Sequence, residues 1–182
     1  LNAICEYLSD HGTAFVQIGE ATPVCGKAGF QDLTNYPADA TRELLEAVVI
    51  QTGTTLPEAL VEIGAKLARR IQAHHLYGPI LNSLGGTPGD VFRNLNRAIN
   101  AFFWRTPDLP MAAFRVIAEN RHSLILGYIP GEQLATGTPD FMRGFVRELA
   151  RAHHPDAEVA VIDYAHADTG EVVFRVEWSE HV

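Results

Sequence analysis

The 182-residue chain has only two cysteines, and its Lys and Arg are outnumbered by Asp and Glu. Cys5 and Cys25 lie outside any C-x-x-C pattern. The two could pair, but a reduced cytoplasmic setting is the simpler interpretation. The formal net charge of −8 argues against nucleic acid as the main partner, because a phosphate-binding face needs clustered positive charge.

Long apolar runs and enzyme motifs are also missing. No run reaches the roughly 18 apolar residues of a membrane span and no signal peptide is visible, so no membrane contact is expected. Neither G-x-S-x-G nor G-x-x-x-x-G-K-S/T occurs. Residues 85–89 superficially resemble a phosphate loop, but they lack its Lys and a preceding strand. The sequence therefore predicts a protein that is not an enzyme.

The strongest pattern in the chain is a helix signal in residues 87–104, TPGDVFRNLNRAINAFFW. Thr87 can cap this helix, Pro88 suits its first turn, and Asp90 places negative charge at the positive end of the helix dipole. The apolar residues that recur with a helical period are Val91, Phe92, Leu95, Ala98, Ile99, Phe102 and Phe103. They predict a helix over 89–104 whose apolar face is covered by the rest of the fold.

Three further helices are predicted near 40–51, 57–75 and 138–154, each with apolar residues on one face. Thr55 and Glu58 have the spacing of a capping box at the start of the second one. A short amphipathic helix is also expected within the first twelve residues. No element is predicted between the helix that ends near residue 75 and the central helix.

At Pro107 the pattern changes from helical to alternating. The alternating sets are Phe114, Val116 and Ala118; Leu124, Leu126 and Tyr128; Val159, Val161 and Asp163; and Val172, Phe174 and Val176. They predict a four-stranded, largely antiparallel sheet between about 113 and 178. We therefore expect one α+β domain, with a helical subdomain over 1–106 and a β-β-α-β-β subdomain over 107–182.

Several short motifs occur in a characteristic order and with ungapped spacing. They are Asn35-Tyr36-Pro37, LVEIG at 60–64, Asn94-Leu95-Asn96, Pro107, Phe114-Arg115, Leu124–Tyr128 and Phe174-Arg175-Val176. Together they resemble the heme–nitric oxide/oxygen binding (H-NOX) family, which includes the sensor domain of soluble guanylate cyclase and its bacterial relatives. The resemblance covers about residues 30–178.

The departures from the family's motifs bear on its cofactor. The family holds heme iron through a histidine on the central helix, four residues after the leucine of its Asn-Leu motif, and that position here is Ile99. Isoleucine has no lone pair for iron. In the family's propionate clamp, Y-x-S-x-R, Tyr128 is kept, but Pro130 and Glu132 replace Ser and Arg. A carboxylate there would repel the propionates. We therefore expect no heme bound by the family's route, and no cofactor.

No metal site is expected either. Where some family members carry zinc-binding cysteines, this chain has Tyr164 and Val172, although His166 is kept. The pairs His74-His75 and His153-His154 are predicted to be solvated helix ends, because adjacent residues on a helix point apart, unlike the i, i+4 spacing of a metal pair.

The function that the resemblance implies is that of a sensory or regulatory signalling domain. The departures favour one without histidine-ligated heme, which binds another apolar small ligand or acts as an interaction module. The alternative is a heme-based NO or O2 sensor with an unconventional axial ligand, such as His122 or a helix-end histidine. The resemblance also implies a signalling partner such as a kinase or a cyclase.

A ligand pocket is predicted between the two subdomains, near Ile99 and Tyr128. The predicted pocket residues are Ile99, Phe92, Phe102, Phe103, Leu124, Leu126, Tyr128 and Cys5. Bulky side chains are expected to fill part of the porphyrin's space and leave a reduced apolar pocket, with Tyr128 as its polar group. Ordinary core packing would also explain Phe102, Phe103 and Cys5.

Overall fold

The computed structural model describes residues 2–12, 38–103, 113–129, 138–163 and 171–179. These ranges contain six helices and four strands. In chain order they are α1 (Asn2–Asp10), α2 (Ala38–Thr52), α3 (Leu56–Ala73), α4 (Tyr77–Ser83), α5 (Pro88–Phe103), β1 (Ala113–Glu119), β2 (Ser123–Ile129), α6 (Thr138–Arg151), β3 (Glu158–Asp163) and β4 (Val172–Glu177). Among these helices, none is long and apolar enough to cross a membrane.

The starts of α3 and α5 follow the capping chemistry that the sequence predicts. At α3, the Thr55 backbone N–H donates to Glu58 Oε2 at 3.1 Å. At α5, the Asp90 backbone N–H donates to the Thr87 hydroxyl oxygen at 3.2 Å, and that hydroxyl donates to the Asp90 carboxylate at 2.9 Å. These bonds satisfy backbone donors that have no partner inside the helix, so both helices begin where the sequence indicates.

Helices α1, α2 and α3 share one apolar cluster, called here the helical cluster. Its buried residues are Ala3, Ile4, Tyr7, Leu8, Leu44, Val48, Ala59 and Ile63. Cys5 is half-buried at its edge. The predicted amphipathic patterns of α1 and α2 are therefore confirmed, because their apolar faces meet across α3.

The four strands form one antiparallel sheet with the order β1-β2-β4-β3. Helices α5 and α6, together with Ala68 of α3 and Ala157 before β3, supply the other buried apolar side chains that pack with one face of this sheet. The buried residues of this sheet cluster are Ala68, Phe92, Leu95, Phe114, Leu124, Leu126, Tyr128, Met142, Val146, Leu149, Ala150, Ala157, Val172, Phe174 and Val176. The predicted α+β class and antiparallel sheet are confirmed.

Helices α3 and α6 approach one another at two glycines. A Cβ added to Gly64 would lie 1.9 Å from the Phe141 carbonyl oxygen, and one added to Gly144 would lie 1.8 Å from the Val61 carbonyl oxygen. Neither position can take even a methyl group unless the helices move apart. Phe141, at this crossing, packs against both the helical cluster and the sheet cluster.

The structure differs from the sequence-based expectation in two places. Residues 77–83 form α4, where no element was expected. Pro79 does not prevent this, because it is the third residue of the helix and its missing N–H would have no intrahelical partner. Ala118 is exposed rather than inward-facing, because the β1–β2 register shifts between Val116 and Ala118.

The close contact between α3 and α6 predicts that one added methyl group will lower the free energy of unfolding substantially. Gly144→Ala should lower the free energy of unfolding by about 1–3 kcal/mol, since the new Cβ would overlap the Val61 carbonyl. Gly86→Ala is the matched control, because nothing lies within 4 Å of a Cβ at that position. Urea unfolding of both variants measures the difference. Equal stabilities of the two variants would contradict the close contact between Gly144 and the Val61 carbonyl.

Candidate ligand site

Asn96 ties the central helix α5 to the edge strand β1. Its Nδ2 donates to the Phe114 carbonyl oxygen at 2.6 Å, and its Oδ1 accepts from the Phe114 N–H at 2.9 Å. The side-chain amide thus pairs with β1 as the backbone of a further strand would. Because β1 is at the edge of the sheet, these backbone groups need a partner from outside it.

The other two residues of the Asn-Leu-Asn motif, Asn94 and Leu95, also position α5. Asn94 Nδ2 donates to the Leu84 carbonyl oxygen at 2.7 Å, which fixes the segment that leads into α5. Leu95, between the two asparagines, is buried in the sheet cluster. The motif therefore sets the position of α5 against the segment before it and the strand after it.

Three buried rings run from α5 across the sheet, and they are called here the aromatic row. The centroids of Phe92 and Phe114 are 5.4 Å apart, and those of Phe114 and Tyr128 are 5.2 Å apart, with interplanar angles of 49° and 43°. Tilted rings at this separation attract one another beyond the burial of their surface. The aromatic row connects the central helix to the end of β2.

Tyr128 is the polar end of the aromatic row. Only 1% of its surface is exposed, and this burial raises the pKa of its phenol to about 12. The hydroxyl therefore keeps its proton at neutral pH and can donate a hydrogen bond to an acceptor placed beside it.

The structure brings four of the predicted pocket residues into one cluster. Phe92, Leu124, Leu126 and Tyr128 are all buried in the sheet cluster. Leu124 and Leu126 lie on the same face of β2 as Tyr128, because side chains alternate along a strand. Cys5 does not join them, since it packs at the edge of the helical cluster.

The remaining predicted pocket residues lie in the last part of α5, where the side chains are outside the described residues. Position 99 is two helical turns after Phe92, so it falls on the same face of α5 as Phe92. Phe102 and Phe103 follow within the next turn. Of the clamp residues, Tyr128 is described, whereas Pro130 and Glu132 fall outside the described ranges, as do Tyr164 and His166.

His122 is far from the aromatic row. It precedes β2, whereas Tyr128 is near the other end of that strand, which separates them by about 20 Å at 3.3 Å per residue. Its backbone N–H donates to Asn120 Oδ1, and its carbonyl accepts from the Trp178 N–H. It is therefore a turn residue that cannot reach a ligand beside Tyr128.

The paired histidines lie at the ends of α3 and α6. The rings of His74 and His75 stack at 4.6 Å, so the expectation that they point apart is wrong, because α3 ends at Ala73 and helical spacing does not apply beyond it. His154 stacks on Trp178 at 4.7 Å.

Burial lowers the pKa of His153. In the described part of the chain, no three His, Cys, Asp or Glu side chains are placed to hold a metal ion.

Two residues of the site, Asn96 and Phe114, were absent from the predicted pocket. Phe114 had a signal, because it opens the alternating pattern of β1. Asn96 had only its place in the Asn-Leu-Asn motif, and its spacing does not show that the amide will reach a strand 18 residues later.

The chain belongs to the H-NOX family. The family model described as Haem-NO-binding matches residues 9–161, which is most of the sequence. No curated protein matches the sequence.

Solved H-NOX structures share the fold over nearly the whole chain. The Fe(II) unliganded H-NOX protein from K. algicida is 15% identical with a TM-score of 0.70, over 99% of this chain and 96% of that one. An oxygen-binding H-NOX domain related to soluble guanylate cyclases, solved as its oxygen complex, is 12% identical with a TM-score of 0.73, over 98% and 92%. A Cs H-NOX mutant is 12% identical with a TM-score of 0.75, over 99% and 94%.

The expectation that no cofactor is needed is wrong. The matching family is defined by heme and NO binding, and the similar structures include an Fe(II) protein and one solved to examine heme redox potential and porphyrin distortion. These findings point to heme as the cofactor. The expectation gave too much weight to the missing iron ligand at position 99. A porphyrin also makes extensive apolar contact with its site.

The Asn96 pairing predicts that a near-isosteric change will be costly. Asn96→Asp should lower the free energy of unfolding by about 1–3 kcal/mol at pH 7, because a carboxylate oxygen would face the Phe114 carbonyl without a hydrogen between them. The loss should shrink at low pH, where a protonated Asp can donate again. Asn82→Asp, on an exposed position of α4, is the control. Denaturant unfolding at both pH values tests this, and an unchanged stability at pH 7 would refute it.

Burial of Tyr128 predicts a pH dependence at high pH. The unfolded phenol ionises near pH 10, and the folded one has a pKa of about 12. The native state therefore keeps this proton longer, so the stabilisation is complete below pH 10 and is lost as the pH rises towards 12. Tyr128→Phe should show a shallower fall in unfolding free energy over this range. The same slope in both proteins would show that Tyr128 does not carry the effect.

Proposed function

We propose that this chain is the sensory domain of a signalling protein, and that it holds heme in a site bounded by α5 and the aromatic row. The observation that carries this proposal is the buried row of Phe92, Phe114 and Tyr128, joined to α5 by Asn96, in a chain of the H-NOX family.

The chemistry of the described residues supports the heme proposal. Phe92, Leu95 and Phe114 are buried apolar side chains, and Tyr128 gives one O–H donor at the position where the family's motif has its clamp tyrosine. A flat apolar molecule with polar groups at its edge needs these two kinds of contact. When bound, heme supplies an iron that can take up a diatomic gas such as NO or O2.

The iron's protein ligand is where this chain departs from its family. Position 99 is on the Phe92 face of α5, but its isoleucine has no donor atom. His122 lies about 20 Å along β2 from Tyr128. We therefore assign the axial ligand to neither residue and attribute most of the binding free energy to apolar contact of the ring with the site.

The link between α5 and β1 offers a route from the ligand to an output. Asn96 holds the two elements by a pair of hydrogen bonds, so a ligand that shifts α5 must either carry the edge strand with it or break that pair. A signalling partner such as a kinase or a cyclase would receive this movement.

The test is uptake of hemin by the wild-type chain and by Ile99→His. We expect the wild type to take up about one heme without the spectrum of five-coordinate histidine ligation. Ile99→His should show that spectrum and hold heme more tightly, because an imidazole would then lie on the site's face of α5. Ile50→His is the matched control, since Ile50 is 77% exposed on α2. Absorption spectra and native mass spectrometry give the ligation and the stoichiometry.

The outcomes separate the possibilities. A histidine-type spectrum in the wild type would overturn the assignment of the axial ligand. Uptake that is equally strong in the Phe92→Asp variant, in which the buried sheet cluster is disrupted, would show non-specific binding. If neither the wild type nor Ile99→His takes up heme, the heme proposal fails, and a different apolar ligand or a ligand-free interaction module would be favoured.

A further inference from the structure

A concave site lies on the face where α1 meets the C-terminal half of α3, and none of the aromatic row lines it. It is a groove of about 370 Å³ that is open to solvent. The residues that line it are Glu6, Lys66, Arg69, Arg70, Ala73 and His74. Four of these six can carry positive charge and one is a carboxylate, in a chain whose formal net charge is −8.

The positive charge comes from one stretch of α3 and the residues after it. Between residues 66 and 75, KLARRIQAHH, there are three cations and two histidines but no carboxylate. Lys66, Arg69 and Arg70 have the i, i+3 and i+4 spacing that places side chains on one helix face, and His74, just after the end of α3, lines the same groove. The groove therefore brings together several cations, which repel one another unless anions lie beside them.

Two of these cations hold α1 against α3. Lys66 forms an ion pair with Asp10, and Arg70 forms one with Glu6. The hydrogen bond from Lys66 lowers the pKa of Asp10. Solvent reaches the carboxylate side of both pairs, because Asp10 and Glu6 keep 61% and 45% of their side-chain surface exposed, whereas Lys66 and Arg70 are partly buried. Ion pairs that solvent reaches contribute little to stability. An external anion can therefore replace these carboxylates.

Arg69 forms the third ion pair, with Glu148 of α6, at 2.9 Å. Lys66, Arg69 and Arg70 thus each already have a carboxylate partner, and a singly charged anion gains little by replacing one of them. A ligand that brings several charges on one small molecule can replace more than one carboxylate at once. Guanidinium groups also match phosphate oxygens in a bidentate arrangement.

We propose that the groove between α1 and α3 binds a small molecule with two or more linked phosphate groups, in competition with the α1 carboxylates. The volume of about 370 Å³ agrees with this class, because it exceeds the roughly 30 Å³ share of one water molecule about tenfold and falls within the range of small-ligand pockets. Inorganic polyphosphate and a nucleoside triphosphate share the chemistry, and the choice of probes distinguishes them.

The test is calorimetric titration of the full chain with inorganic tripolyphosphate, ATP and orthophosphate at low ionic strength, where charge interactions are least screened. We expect tripolyphosphate to bind more tightly than orthophosphate. The double variant Lys66→Gln/Arg70→Gln should weaken it about tenfold or more, because two charge-assisted contacts are lost. Arg143→Gln/Arg175→Gln removes the same charge from exposed positions elsewhere and is the matched control.

A variant that is expected to bind tripolyphosphate more tightly makes the test sharper. Glu6→Gln removes the competing carboxylate, so tripolyphosphate should bind about two- to fivefold more tightly, whereas Glu177→Gln on β4 should have no comparable effect. Three results would overturn the proposal. Both double variants could lose the same affinity for tripolyphosphate, orthophosphate could bind as tightly as tripolyphosphate, or Glu6→Gln could bind tripolyphosphate more weakly than the wild type does. ATP that binds more tightly than tripolyphosphate would identify the ligand as a nucleotide, and equal affinities would identify the phosphate chain itself. Circular dichroism confirms that each variant is folded.

Discussion

The backbone contact between α3 and α6 is the constraint on which the rest of the structure depends. The helical cluster and the sheet cluster belong to different parts of the chain, and Phe141 is shared by both. Gly64 and Gly144 allow the two helices to approach until each position faces a carbonyl oxygen of the other helix. With larger residues the helices would separate, and α5 and the aromatic row would lose the support of α6.

The candidate ligand site combines the family's fold with an isoleucine at position 99. Asn96 pairs with the edge strand as a further strand would and thereby fixes the distance between α5 and β1. That arrangement uses backbone groups and apolar surface, so it does not depend on the residue at position 99. A porphyrin makes most of its contact through its ring, and the family match points to heme as the cofactor.

The groove at α1 has different chemistry from the ligand site. The ligand site is buried and apolar with a single hydroxyl, whereas the groove is open and lined mainly by cations. Both involve elements that α3 holds in place, since α1 packs on α3 and α6 crosses it. An anion in the groove would compete for the contacts that hold α1, and α1 also contributes its apolar face to the helical cluster. The two sites could therefore influence each other only through packing of the helices.

The sequence by itself determined five of the six described helices, the four strands and most of their faces, because apolar periodicity and capping residues such as Thr55 and Thr87 act within a few residues. It also indicated the family through the order of short motifs, and it singled out Phe92 and Tyr128, which the structure buries in one cluster. The strand order, the Asn96–Phe114 pairing, the glycine crossing and the charged groove were decided by the tertiary structure alone. Each of these brings together groups that are distant in the chain, and no local pattern encodes which distant partner a side chain meets.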